Sequence, residues 1–99
     1  MMYKLEFLPE AKKEKDKLEG SVLVFVEKGL NRIKVLGMQA GQPLHGKLAG
    51  CHKLKNKRLG LRIVFRSSPN GIEIIQIVAI GKRDKLTVYR DAEKRINQR

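Results

Sequence analysis

The chain has 99 residues, and its 22 Lys and Arg against 10 Asp and Glu give a net charge of +12. A chain of this length holds one modest core, so we expect residues 1–99 to form a single domain. The basic excess favours a polyanionic partner, with nucleic acid preferred over an anionic membrane surface.

The apolar stretches are short and interrupted by charge, and none approaches the roughly 18 residues of a membrane span. The N-terminus lacks the positively flanked apolar run of a signal peptide. Cys51 is the only cysteine, which excludes an internal disulfide and fits a reducing compartment. We therefore expect a cytoplasmic protein that does not act at a membrane, with Cys51 as a small, half-buried residue.

The first half of the chain has helical patterns after one short strand. Residues 3–7 alternate between apolar and charged side chains, the period of a half-buried strand. A polar helix is predicted from Pro9 to about Glu19, with Gly20 as its stop and Ser21 as a cap for the next helix. Apolar residues at helical spacing predict that second helix over Val22 to Leu36.

The stretch from Gly37 to Gly50 is rich in glycine and is expected to be mostly loop. Within it, Gly41 to Lys47 matches the phosphate-binding loop of nucleotide hydrolases up to the lysine. However, Leu48 replaces the Ser or Thr that would bind magnesium, and Pro43 removes a backbone N–H from the cradle. No strand is predicted before this segment, so we do not expect a nucleotide site here.

The second half has the pattern of an antiparallel meander. Lys53, Lys55 and Lys57 fall on one face of a predicted strand, and a turn ending at Gly60 leads into a return strand that carries Arg62. A turn over residues 68–71 follows.

The run from Ile72 to Ile80 is apolar on both faces, as in a central strand. A last helix is predicted from about Asp84 to Ile96, with its apolar residues inward: Val88, Tyr89, Ala92 and Ile96. The fold class is therefore a small α+β domain. An N-terminal strand and two helices pack on a mostly antiparallel sheet of four or five strands, and a short C-terminal helix follows.

Three of these cations are expected to converge. If Lys53 and Lys55 share a strand face and Arg62 lies opposite them on the paired strand, all three are within reach of one phosphate. Arg83 and Tyr89 come from the next strand end and the last helix, where they can hold a nucleotide from the far side. The phosphodiester of RNA suits such a cluster. The alternatives are a solvated basic face for any lone lysine and a core position for Tyr89.

Taken together, these segments resemble the RelE group of toxins from type II toxin–antitoxin operons, over nearly the whole chain. The similarity covers the first strand and charged first helix, residues 47–55, the strand over residues 60–65, and the ending over residues 80–96. It implies a metal-independent, ribosome-dependent endoribonuclease that cuts mRNA in the ribosomal A site. It also implies a RelB-like antitoxin that binds the toxin in a hetero-oligomer.

The resemblance places the family's catalytic set on five residues of this chain: Lys53, Lys55, Arg62, Arg83 and Tyr89. We take five neighbouring cations as candidate RNA-binding residues: Lys47, Lys57, Arg58, Arg66 and Lys82. No metal or other cofactor is expected.

The catalytic set permits attack of the ribose 2′-hydroxyl on the adjacent phosphorus, which yields a 2′,3′-cyclic phosphate. Lys55 and Arg62 suit stabilisation of the phosphoryl oxygens. Lys53 is the candidate base with Tyr89 as the alternative, and Arg83 would assist the leaving oxygen.

Some features depart from related toxins, and other functions stay open. The histidine and carboxylate pair that some ribosome-dependent toxins use is not evident, and His52 is expected to face away from Lys53 in a structural role. Leu61 stands where the family often has an aromatic residue. The alternative functions are a non-catalytic basic module that binds RNA or the ribosome, a gyrase-directed ParE-like toxin, and an inactive scaffold that binds an antitoxin.

Overall fold

The computed structural model describes residues 2–82 and 87–98 of the chain. Within them lie five strands, β1 (Lys4–Phe7), β2 (Gln42–Pro43), β3 (Cys51–Asn56), β4 (Leu61–Ser67) and β5 (Ile74–Lys82), and three helices, α1 (Pro9–Asp16), α2 (Gly20–Leu36) and α3 (Thr87–Asn97). The strands form one sheet in the order β1-β5-β4-β3-β2. β1 runs parallel to β5 and the other pairs are antiparallel, which confirms the expected α+β class.

Helices cover both faces of the sheet. α2 packs closely on one face, because a Cβ atom added at Gly29 would lie 2.9 Å from Leu54 Cδ2 and 3.1 Å from Ile63 Cδ1. α3 packs on the other face, where a Cβ atom at Gly81 would lie 3.4 Å from Val88 Cβ. We call these the α2 face and the α3 face.

The core lies between α2 and the central strands. Val26 and Ile33 of α2 are fully buried, as are Ile63 and Phe65 of β4 and Ile77 of β5. Because helices cover both sides of the central strands, β5 can be apolar on both faces, as its sequence predicted.

The boundaries in the first half differ from the prediction. α1 ends at Asp16, and Gly20 begins α2 instead of ending α1. Ser21 does not cap α2, because Glu19 occupies the cap position with an extended backbone and no side-chain hydrogen bond caps the helix. The segment predicted as loop contains the two residues of β2 and two short 3-10 turns, Gly37–Ala40 and Gly46–Leu48. A 3-10 turn therefore follows the glycine-rich segment where a nucleotide loop would have an α-helix.

The boundaries in the second half also shift. β3 ends at Asn56, so Lys57 lies in the turn, because Asn56 Oδ1 accepts a hydrogen bond from the backbone N–H of Leu59 at 3.0 Å. β5 begins at Ile74, and Ile72 is 93% exposed. The predicted start of the last helix at Asp84 lies outside the described residues. No helix in the described part of the chain is both long and apolar enough to cross a membrane.

Candidate functional site

Two cations of the predicted set form a cross-strand pair. Lys55 on β3 lies directly opposite Arg62 on β4, and Arg62 lies opposite Gly81 on β5. Directly opposite residues in antiparallel strands have Cβ atoms about 5 Å apart and point to the same face. Since Gly81 contacts α3, Lys55 and Arg62 lie on the α3 face. The predicted convergence of these two cations is therefore confirmed.

Arg62 is the most unusual member of the pair. Only 5% of it is exposed. Its Nη1 donates to the carbonyl oxygen of Leu61 at 2.9 Å, but its buried Nε has no hydrogen-bond partner within residues 2–82 and 87–98. Native structures rarely leave a buried donor unpaired, and a buried guanidinium without a carboxylate is costly. A group of this kind is suited to an anion that arrives from outside.

Lys53 lies two residues before Lys55 on β3, so it points to the same face. Its Nζ lies 5.9 Å from the ring centroid of Tyr89 on α3, within the range of a cation–π contact. Both residues are half-buried. The Tyr89 ring therefore packs partly against the core and lies near Lys53 at its edge, and its role toward a nucleotide stays a prediction.

Arg83, the remaining member of the catalytic set, lies outside the described residues, directly after the end of β5. Lys82 is described and exposed at that strand end. It lies opposite Leu61 in the register, and alternation therefore puts it on the side of the sheet opposite Arg62.

The other predicted RNA-binding residues have different surroundings. Lys57 and Arg58 are exposed in the turn between β3 and β4, next to the Lys55–Arg62 pair. Lys47 is exposed on the second 3-10 turn, with its Nζ 4.0 Å from a carboxylate oxygen of Glu93 on α3. These three cations surround the α3 face without belonging to its centre.

Arg66 belongs to a separate polar network. Its Nε donates to Gln76 Oε1 at 2.8 Å, and Gln76 Nε2 donates to Glu6 Oε1 at 2.7 Å. Ser68 and Asn70 also donate to Glu6, both at 2.9 Å. The hydrogen bonds from Asn70 and Gln76 hold the pKa of the Glu6 carboxyl below its ordinary value. These contacts tie Arg66 into the sheet, several residues away from Arg62.

The two residues that carry other reactive chemistry are structural. His52 points away from Lys53, and its Nδ1 lies 2.7 Å from the carbonyl oxygen of Met38, which confirms the sequence interpretation. Cys51 is fully buried, with 3% exposed, so the expectation of a half-buried residue was wrong. Burial raises the pKa of its thiol, although Arg66 opposite it acts in the other direction.

The ion pairs of the described residues involve cations other than Lys53 and Arg62. The sequence has 10 Asp and Glu against 22 Lys and Arg, and ion pairs join helix residues such as Arg95 to Glu14 and Lys15 to Glu27. Neither Lys53 nor Arg62 forms an ion pair within the described residues. In the same part of the chain, no group of three or more His, Cys, Asp or Glu side chains could hold a metal ion.

The arrangement can bind one phosphate group and stabilise added negative charge on it. Arg62 and Lys55 offer adjacent donors, and positively charged donors near a phosphoryl group lower the energy of the transition state for its transfer. Lys53 and Tyr89 offer groups that exchange protons, and the Tyr89 ring offers a surface on which a base can stack.

Known proteins with similar sequences and structures share this fold. No family model matches the chain. The mRNA interferase toxin RelE of Escherichia coli K12 is 30% identical over 96 residues, which cover 97% of this chain and 99% of that protein. The mRNA interferase RelE of Shigella flexneri matches to the same extent.

Solved structures of RelE toxins superpose on this chain over most of its length. A mutant of the E. coli toxin RelE in the free state superposes with a TM-score of 0.77 at 30% identity, over 97% of this chain and 99% of that one. The toxin in the intact E. coli RelBE toxin–antitoxin complex superposes with a TM-score of 0.68 at 26% identity, over 84% and 99%.

Proposed function

This chain belongs to the RelE family of toxins, and from that premise we propose that it is an endoribonuclease that cuts messenger RNA on the ribosome. The observation that carries the proposal is the state of Arg62. It is buried beside Lys55, and the Nε of Arg62 has no partner in the described residues. A buried cation without a partner lowers the stability of the free protein, and a bound phosphodiester would restore that stability. A purely structural arginine would be expected to have its donors satisfied.

The reaction we propose needs no group beyond the RNA and the protein. The ribose 2′-oxygen forms a bond to the adjacent phosphorus, the bond from phosphorus to the 5′-oxygen breaks, and the products are a 2′,3′-cyclic phosphate and a 5′-hydroxyl. The 2′-hydroxyl proton passes to a base, and the leaving 5′-oxygen takes up a proton. Arg62 and Lys55 would stabilise the charge on the phosphoryl oxygens.

Lys53 and Tyr89 are the proposed base candidates, because they lie together on the same face. Arg83 remains the proposed residue at the leaving oxygen. The flanking cations Lys47, Lys57 and Arg58 are proposed to contact RNA phosphates, as their exposure permits. Lys82 and Arg66 remain in the RNA-binding proposal. Lys82 is exposed but lies on the opposite side of the sheet, and Arg66 also bonds to Gln76, so we expect both to contribute less.

Partners of two kinds follow from the proposal. The RelE toxin in the E. coli complex is assembled with RelB, and we propose that a RelB-like antitoxin binds and silences this protein in the cytoplasm. The ribosome and its mRNA are the proposed targets. The ribosome would hold the RNA in the geometry for in-line attack, which a site with weak proton-transfer groups requires.

The test is cleavage of an mRNA by the purified protein, with and without programmed ribosomes, with mapping of cut sites and end chemistry. Lys53→Ala and Arg83→Ala are compared with Lys13→Ala, which removes one charge from an exposed position on α1. We expect cuts at the A-site codon with cyclic-phosphate ends, and losses of roughly 100- to 10,000-fold in Lys53→Ala and Arg83→Ala. Binding should weaken no more than in Lys13→Ala. Tight ribosome binding without cleavage by the wild type would instead indicate a non-catalytic binding module.

A further inference from the structure

A clamp between α1 and α3 closes the sheet edge beside the candidate site. Arg95 of α3 donates to both carboxylate oxygens of Glu14 of α1, from Nη1 at 2.8 Å and from Nη2 at 3.0 Å. The two residues are 81 positions apart in the sequence. The Arg95 side chain is 12% exposed and that of Glu14 is 27% exposed. Paired charges in this bidentate geometry form the strongest class of hydrogen bonds in proteins.

The clamp also replaces a missing strand. β1 pairs with β5 over Ile74–Ile77, and β5 then continues without β1 at its side. Along this open edge, the N–H of Ile80 donates to Glu14 Oε1 at 3.1 Å, and the carbonyl oxygen of Val78 accepts from Arg95 Nη1 at 2.9 Å. Val78 is the residue that the β4–β5 register skips. Glu14 and Arg95 therefore satisfy backbone groups that would otherwise be buried without partners.

α3 depends on contacts of this kind to stay on the sheet. The described part of the helix has 11 residues, and helices shorter than about 12–15 residues are marginal by themselves in water. Its fully buried side chains are Val88 and the small Ala92, while Tyr89 and Ile96 are partly buried. The apolar area that holds α3 down is thus small. A bidentate ion pair near its C-terminal end adds to this docking.

We infer that Glu14 and Arg95 are positioning residues, which hold α3 on the sheet and thereby keep Tyr89 beside Lys53. Tyr89 and Arg95 lie on the same short helix, less than two turns apart. When the clamp is closed, the Tyr89 ring lies over Lys53 Nζ. When it opens, α3 leaves the sheet and the site loses its aromatic side. The catalytic part of this inference rests on the proposed function, but the docking part does not.

The test compares Arg95→Ala and Glu14→Gln with Arg95→Lys and with Arg90→Ala. Arg90 is exposed on α3, so its variant is a control that removes the same charge from the same helix. Hydrogen exchange of α3 amides should accelerate roughly 10- to 100-fold in Arg95→Ala, as expected for lost charge-assisted hydrogen bonds, while β4 amides keep their protection. Arg95→Lys should restore part of the protection, and Arg90→Ala should match the wild type.

A second readout follows Tyr89 directly. The chain has two tyrosines and no tryptophan, so a Tyr3→Phe background leaves Tyr89 as the fluorophore. Acrylamide should quench Tyr89 more strongly in Arg95→Ala than in Arg90→Ala. In cleavage assays, kcat should fall at least tenfold in Arg95→Ala, with KM little changed. The reason is that the Arg95 guanidinium acts on the reacting atoms only through the position of Tyr89.

The outcomes separate the two proposals. Unchanged α3 exchange and unchanged Tyr89 quenching in Arg95→Ala would overturn the clamp. Equal acceleration over α3 and β4 would also overturn it, since this would show a general loss of stability. Glu14→Gln keeps an acceptor for Ile80, and it tests the ion pair if Arg95→Ala fails to fold. If the wild type does not cleave RNA, the proposed function fails, while exchange and quenching still decide the clamp.

Discussion

Replacement of Arg62 by methionine is expected to stabilise the free protein while it removes activity. Arg62 is 5% exposed, and its Nε is buried without a partner in the described part of the chain. One unsatisfied buried donor costs about 1–3 kcal/mol. Methionine is shorter, but it fills the space of the aliphatic part of Arg62 and has no donor to satisfy. The substitution also removes the hydrogen bond from Nη1 to the Leu61 carbonyl oxygen, which offsets part of the gain. Arg62→Met should therefore raise the free energy of unfolding by about 1–3 kcal/mol.

The assay is urea denaturation monitored by circular dichroism, with thermal unfolding measured in parallel. The midpoint should rise with no change in the denaturant slope. Each kcal/mol shifts the melting temperature of a domain of this size by about 4–8 °C. Added phosphate should stabilise the wild type more than Arg62→Met, because the variant lacks the cation that the anion would pair with.

Arg66→Met is the matched control on the same strand. Arg66 Nε donates to Gln76 Oε1 at 2.8 Å, so its removal leaves an acceptor in the network around Glu6 with one partner fewer. This variant should lose about 1–2 kcal/mol of stability. If Arg62→Met is instead destabilised as much as Arg66→Met, Arg62 is a structural residue, and the proposal that it binds an anion is refuted.

Two further predictions concern the surroundings of the site. Hydrogen bonds from Asn70 and Gln76 lower the Glu6 pKa, so the ionised carboxylate stabilises the fold above its unfolded pKa, and this contribution is lost as the pH falls through the folded value. Urea titrations at a series of pH values should therefore show that Glu6→Gln destabilises the protein at pH 7 and less so in acid; an equal deficit at every pH would contradict the argument. Gly41→Ala should cost about 1–3 kcal/mol, because its Cβ atom would collide with the carbonyl oxygen of Lys53 and lie 2.8 Å from Phe65 Cζ. Thermal unfolding checks this, with Gly81→Ala as the control for added volume, because its Cβ atom would lie at an ordinary contact distance of 3.4 Å from Val88 Cβ; an unchanged melting temperature in Gly41→Ala would show that β3 shifts freely.

Alternation along the chain was sufficient to predict part of the site. A strand places every second residue on one face, so Lys53 and Lys55 had to lie together, and one turn brought Arg62 back beside them. The same rule predicted that His52 faces away. The sequence also predicted which segments are helices and which are strands, because apolar periodicity differs between α2 and the strands. It did not predict where β3 and α1 end or where β5 begins, since side-chain hydrogen bonds and turns set these boundaries.

The sequence by itself determined the fold class, the basic character and the shared face of Lys53, Lys55 and Arg62, because these depend on local periodicity and on charge. The tertiary structure decided which cations are satisfied. Arg62 and Arg66 are two arginines on one strand face, but only the packing of neighbouring strands gives Arg66 a partner in Gln76 and leaves Arg62 Nε without one in the described residues. It also decided that Tyr89 lies over Lys53 and that Glu14 meets Arg95 across 81 positions. Contacts between distant segments exist only after the chain has closed its loops and docked its helices, so no local pattern can encode them.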